Sequence, residues 1–254
     1  MAALPPGAQR MIRACYHRLP GRLRRAVGGS RPGLDRERIA GWYLRGHGIE
    51  IGALHQPLRA PRSARVRYVD RLPPADLRRE MPELAPYPMV RVDVVDDGER
   101  MASIGDGTQD FVIANHVLEH CQDPIGALVS MLRVLRSEGI VYLAVPDKRY
   151  TFDADRPVTP LEHLFQDHRE GAAGSYREHC EEWVRLVERR TAPADVEARI
   201  GELMGRHQSI HFHVWTQTEI LELVLALRRL VAFDVELITK SGSEVIVVLR
   251  KVSG

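Results

Sequence analysis

From Gly48 to Val145 the chain alternates short apolar runs with stretches of helical period, and this alternation limits the fold more than any other feature. Five runs read as strands: Gly48–Gly52, Val66–Asp70, Met89–Val94, Phe111–Asn115 and Ile140–Val145. Between the last two, "DPIGALVSMLRVLRSEG" repeats Ile125, Leu128, Met131, Leu132 and Leu135 at helical spacing, with Asp123 and Pro124 opening it and Gly139 closing it. Strands separated by helices make βαβ units and a parallel sheet. Further on, "TQTEILELVLALRRL" reads as a helix with Thr216 at its N-cap and Glu219 three residues later. The runs Phe233–Thr239 and Glu244–Arg250, joined by "KSGS", read as a hairpin, so the last strand is expected to be antiparallel.

Residues 147–215 do not follow the alternation. The stretch is polar, helical in places ("SYREHCEEWVRLVERR"), and holds six of the eleven histidines. An insertion after the fifth strand would lie over the carboxyl ends of the strands, where open α/β sheets bind ligands. Asp147, Lys148, Arg149, Asp153, Asp155, His163, His211 and His213 supply groups that hydrogen-bond hydroxyls. Tyr150, Phe152, Trp183 and Trp215 could stack on sugar faces or form the insertion's own small core. Carboxylates close to imidazoles could hold Mg²⁺, although no ligand spacing demands a metal and His211-x-His213 alone is weak for zinc.

Composition removes several other classes. No run of about 18 apolar residues is present, so no membrane-spanning helix is expected. Cys15, Cys121 and Cys180 are far apart and read as free thiols of a reducing, cytoplasmic compartment, and the broken start "MAALPPGAQRMIRACYHRLPGRLRRAV" does not read as a signal peptide. A net charge of +2 gives no reason to expect a nucleic-acid partner, and nothing speaks against a homo-oligomer. Residues 1–45 carry ten arginines against Asp35 and Glu37, and form a basic helical extension ahead of a domain over 46–254. That extension either packs on the domain or touches a membrane or acidic partner.

The chemistry-bearing residues fall at strand ends. Gly52 would let a ligand approach the backbone, and Asp70, eighteen residues later, has the spacing of an acidic residue that grips a ribose diol. Asp93, Asp96 and Asp97 end the third strand, "NHVLEH" the fourth and "PDKRY" the fifth. Together, "EIGALHQPL", the block D-x-x-x-x-N-H-x-L-E-H-x-x-D-P over Asp110–Pro124, and R-V-L-R-x-x-G over Arg133–Gly139 resemble class I S-adenosylmethionine-dependent methyltransferases. The resemblance covers about residues 46–146 and 211–250. It implies a Rossmann-like, seven-stranded, mostly parallel sheet with a helical lid inserted at 147–215. The family usually shows ExGxGxG, whereas this chain keeps Glu50 and Gly52 but has Leu54 further along, a residue expected to avoid the left-handed backbone that glycine allows.

The resemblance also implies roles. Glu50, Gly52 and Ala53 would line the methionine part of S-adenosylmethionine, Asp70 would bind the ribose, Asp96 or Asp97 would face the adenine, and Asn115 and His116 would close over the cofactor. His120 is favoured as the base that deprotonates an acceptor hydroxyl, with Asp147 orienting it or the acceptor and His116 as a further catalytic candidate. Lys148, Arg149, Tyr150, His163, His211 and His213 would meet the acceptor. The implied activity is O-methylation of a sugar or polysaccharide precursor, as in bacterial glycan-associated O-methyltransferases. The alternatives are a lipid or quinone acceptor, or a non-catalytic cofactor-binding protein of the same fold.

Overall fold

A computed structural model of the protein describes residues 34–252, so the arginine-rich stretch before Leu34 lies outside the described residues. The sheet runs β3-β2-β1-β4-β5-β7-β6. Its strands are β1 (Gly46–Ile51), β2 (Ala64–Asp70), β3 (Val94–Val95), β4 (Gln109–Asn115), β5 (Leu135–Pro146), β6 (Phe233–Ser241) and β7 (Glu244–Lys251). The first five are parallel, and β7 pairs antiparallel with both β5 and β6. This is the seven-stranded, mostly parallel α/β sheet expected.

The central strands are apolar on both faces because both faces are covered. On one face Ile49, Val112, Val141 and Val247 meet Leu128 and Met131 of α3 (Pro124–Val134) and Leu223 of α7 (Gln217–Leu227). On the other, Phe111, Tyr142 and Val248 meet Ile39, Ala40 and Leu44 in and beside α1 (Arg36–Tyr43). The final turns of the expected N-terminal extension are therefore part of the domain core. A short α2 (Pro74–Glu80) follows β2.

Two boundaries differ from expectation. The third strand is only two residues long, because Val90 donates its N–H to Leu54 O at 2.8 Å instead of joining β2. Helix α3 stops at Val134, not at Gly139, since Leu135 turns extended and pairs with Gln109.

The insertion carries α4 (Leu161–Glu170), α5 (Tyr176–Leu186) and α6 (Pro193–Gly205). It has a core of its own, in which Tyr176, Cys180, Trp183 and Val184 pack with Val196, Ile200, Leu203 and Phe212. The chain returns beside β5, where Lys148 donates its N–H to Trp215 O at 2.9 Å. No helix among the described residues is long and apolar enough to cross a membrane.

Candidate active site

Ile51 pairs with Val69 of β2 and Ala114 of β4, so Gly52, Asp70 and Asn115 leave the sheet at one level. Gly52 has φ +63°, a conformation that a Cβ resists. A Cβ built there would meet nothing closer than Val117 Cγ2 at 3.4 Å. The turn is therefore open above the glycine and adjoins the loop after β4. Leu54, expected to avoid the left-handed region, adopts φ 48°. The loop thus keeps a glycine-like path at a cost of roughly 1–2 kcal/mol.

Glu50 is buried, and its carboxylate accepts the Leu58 N–H at 2.9 and 3.2 Å, which closes the 52–58 loop from beneath. Burial pushes its pKa up to about 7. Asn115 lies close enough to Glu50 to favour the carboxylate, yet neither of its amide atoms has a hydrogen bond of acceptable geometry. Asp70 is half-buried; its Oδ1 accepts the Arg71 N–H at 2.8 Å, and burial raises its pKa. Asp96 is occupied by Ser103, whose N–H and hydroxyl donate to it at 2.8 and 2.5 Å. Asp97 is exposed and accepts the Glu99 N–H at 2.9 Å. Ala53 is buried beside Gly52.

The residue after β4, His116, takes φ 55°. Its Nδ1 is 3.2 Å from Glu119 and its Nε2 3.0 Å from Glu244, which also pairs with Arg36. Against the penalty of burial, these two carboxylates raise its pKa to about 9. At neutral pH His116 is an imidazolium with no lone pair to accept a proton, so the geometry gives it the role of an ion-pair hub and not of a base.

His120 ends a short 3₁₀ turn, Leu118–His120. Its Nδ1 donates to Ile210 O at 2.9 Å and lies 3.1 Å from the Ser209 hydroxyl, so Nε2 carries the lone pair. Burial and the neighbouring His211 lower its pKa to about 4. The expected partnership with Asp147 does not form. Asp147 is fully buried and its carboxylate is taken by the Arg149 guanidinium at 2.9 and 2.6 Å. The other residues of that turn are engaged as well: Lys148 donates to Ala154 O at 2.7 Å, and Lys240 caps Tyr150, donating to its hydroxyl and standing 3.8 Å from its ring centre.

His211, expected to touch the acceptor, instead has a partner that sequence reasoning did not pair with it. Its Nδ1 donates to Asp153 Oδ2 at 2.7 Å, and Asp153 stays ionised despite burial through His211 and Arg156. The His120 and His211 rings meet edge to face at 4.7 Å. Neither Nε2 has a hydrogen-bond partner in the protein among the described residues. The buried Glu119 carboxylate completes the group, with one ligand-type atom from each residue within 4.8 Å of the others.

His163 and His213 go elsewhere in the lid, converging with Asp167 and His179. Burial, His163 and Arg156 lower the pKa of His179 to about 4, and burial with the neighbouring imidazoles takes His213 well below its ordinary value. Both gatherings hold a single carboxylate, and neither matches the oxygen-rich cage that Mg²⁺ prefers. Of the four aromatics, Trp183 and Trp215 are buried and Phe152 packs on the lid core.

Residues 48–143 match the family model of a methyltransferase domain. No curated protein sequence matches the chain. Among solved structures it aligns with an S-adenosylmethionine-dependent methyltransferase from Methanosarcina mazei, at 15% identity over 87% of this chain and 100% of that one, with a TM-score of 0.49. A second such methyltransferase, from Aquifex aeolicus, aligns at 10% identity over 96% and 97%, with a TM-score of 0.44. The carbon methyltransferase of CurJ aligns at 13% identity over 83% of this chain with a TM-score of 0.45, and there the chain spans 50% of the other's length.

Proposed function

We propose that this chain, which carries a class I S-adenosylmethionine-dependent methyltransferase domain, methylates a hydroxyl of a polar acceptor, namely a sugar or polysaccharide precursor. The observation that carries the reading is the 2.7 Å contact between His211 Nδ1 and Asp153, with the Nε2 atoms of His211 and His120 both without a protein hydrogen bond among the described residues.

The residues at the strand ends suit the cofactor. Gly52 leaves room above a left-handed turn, the Asn115 amide lacks a hydrogen bond, and Asp70 stands half-buried at the tip of β2, held by the backbone N–H groups that follow it. Gly52 and Ala53 would hold the methionine part, Asp70 the ribose and Asp97 the adenine, while Glu50 keeps the loop closed. When bound, S-adenosylmethionine supplies a methyl group already activated on a sulfonium.

The protein must then align a hydroxyl and remove its proton. A neutral imidazole does this near neutral pH, and one whose opposite nitrogen faces a carboxylate gains most, because the carboxylate stabilises the imidazolium that forms. His211 has that carboxylate in Asp153. His120, fixed through Nδ1 to a backbone carbonyl, is suited to accept a hydrogen bond and aim the hydroxyl. The hydrophilic lid around them favours a hydroxylated acceptor over a lipid or quinone.

The test pairs methyl transfer from labelled cofactor, across glycans, lipids and quinones, with calorimetric cofactor binding. His211→Ala is expected to lower kcat by roughly 10²-fold or more with cofactor affinity unchanged. Asp70→Ala is expected to weaken the cofactor by at least about tenfold. Label entering only lipids or quinones would overturn the acceptor class. Full turnover in His211→Ala with loss in His120→Ala would move the base to His120.

A further inference from the structure

We infer that the lid contains a structural zinc site formed by His163, Asp167, His179 and His213. The inference stands apart from the acceptor assignment, because none of the four residues belongs to the His120–His211 group.

Three separate parts of the lid supply the side chains. His163 and Asp167 are one turn apart on α4, His179 lies on α5, and His213 lies on the segment returning to the sheet. They converge atom to atom. His163 Nε2 is 3.1 Å from His179 Nε2 and 3.1 Å from Asp167 Oδ2, while the Nε2 atoms of His179 and His213 are 3.8 and 3.9 Å from the same oxygen. All four donor atoms lie within 4.8 Å of one another. A tetrahedron with zinc bonds of about 2.0–2.1 Å has edges of about 3.3 Å, which these distances bracket.

Without a cation the arrangement is hard to explain. An N–H···N hydrogen bond would satisfy His163 and His179, whose Nε2 atoms are 3.1 Å apart, but not the carboxylate beside them. Asp167 Oδ2 is buried and aimed at three imidazoles, yet it makes no hydrogen bond. The surrounding contacts hold the donors as metal ligands are usually held. Asp167 Oδ1 accepts the Ser175 hydroxyl at 2.7 Å, and His179 hydrogen-bonds the Phe212 backbone. His213 Nε2 also lies 3.3 Å from Gln122 O, a long contact that metal binding would replace.

Three imidazoles and one carboxylate select a first-row ion such as zinc over magnesium or calcium. Four protein ligands fill the tetrahedron, so the site is structural and leaves no position for a reacting water. A cleft of about 300 Å³ lined by His163, Asp167 and Ser175 gives an entry path from the surface. An ion there would fasten α4, α5 and the 210–215 return to one another, directly beside His211.

Metal analysis of the purified full chain is expected to find one zinc per molecule. Chelator-stripped protein should take up one equivalent again, with Tm rising by about 5–10 °C in excess zinc and not in magnesium. Loss of supporting contacts alone costs roughly 10–100-fold in metal affinity, so His163→Ala should lower zinc affinity by at least about 100-fold. His163 is partly exposed, and circular dichroism would verify that its variant folds. Cobalt bound to the wild-type chain should give the visible spectrum of a tetrahedral site, a readout that needs no variant. His211→Ala should keep its zinc. Substoichiometric zinc with no Tm response, a non-tetrahedral cobalt spectrum, or zinc retained in His163→Ala but lost in His211→Ala would each overturn the assignment.

Discussion

His116 shows how one side chain ties this fold to pH. Its pKa of about 9 in the folded protein lies above the ordinary 6.5, so its contribution to stability is complete below about pH 6.5 and is lost as pH rises through 9. Glu244 is held at about 2, below its ordinary 4.5. Its contribution is therefore present above about 4.5 and disappears as pH falls toward 2. Both shifts include the His116–Glu244 contact, but Glu119 also raises His116 and Arg36 also lowers Glu244, so only the His116 shift measures what that imidazolium contributes. At 1.36 kcal/mol per pKa unit it is worth on the order of 3 kcal/mol. His116→Gln should lose about that much at pH 6 and should flatten the decline in stability expected of wild type between pH 6.5 and 9. Urea midpoints measured across that range decide it; an unchanged slope in the variant would mean that another group carries the dependence.

Among the elements, α7 is held at its start by the reciprocal cap that its sequence announces. Thr216 donates its N–H to Glu219 at 2.8 Å, and its hydroxyl accepts the Thr218 N–H at 3.3 Å. Thr216→Ala should cost about 1 kcal/mol by thermal or urea denaturation and leave cofactor affinity unchanged. The cap, the hairpin and four of the five expected parallel strands were legible because their signals are local: a period, a turn, a spacing of three residues. The third strand was not. "YPMVRV" has apolar residues enough, but its backbone is claimed by the loop at Leu54. The lid core is legible only in part, through Phe152 and Trp183, for a related reason. Tyr176, Cys180, Trp183, Val184 and Val187 keep helical spacing, but charged neighbours hide them, and Val196, Ile200 and Leu203 that complete the core come from another helix. Within the site, the strand-end positions could be read, and the pairings could not. Asp153 meets His211 across 58 residues, and no local signal joins them.

At the scale of the whole molecule, α5 and α6 of the lid have a core separate from that of the sheet, which takes in Leu164 of α4, and a buried arginine ties the segments of the lid together. Arg156 is 2% exposed and donates to Asp153 at 2.8 Å, Glu182 at 2.7 Å, His211 O at 2.8 Å and Phe212 O at 3.1 Å. It thus links the loop after β5, helix α5 and the segment carrying His211. Removing it would leave Asp153 charged, buried and short of a partner, which typically costs about 3–5 kcal/mol. The sheet does not depend on these bonds, since its apolar faces are covered by α1, α3 and α7. Arg156→Met should therefore loosen the lid and spare the remainder. Amide exchange over 153–213 should accelerate, methyl transfer should fall together with the His211–Asp153 geometry, and cofactor affinity should stay within about twofold of wild type, because Gly52, Asp70 and Asn115 belong to the sheet. Restoring the charge with Arg156→Lys should recover only part of the loss, as a lysine cannot reach two carboxylates and two carbonyls in the planar arrangement of a guanidinium. If exchange accelerates equally across β1, β4 and β5, lid and sheet unfold as one unit, and the division into two cores has no energetic counterpart.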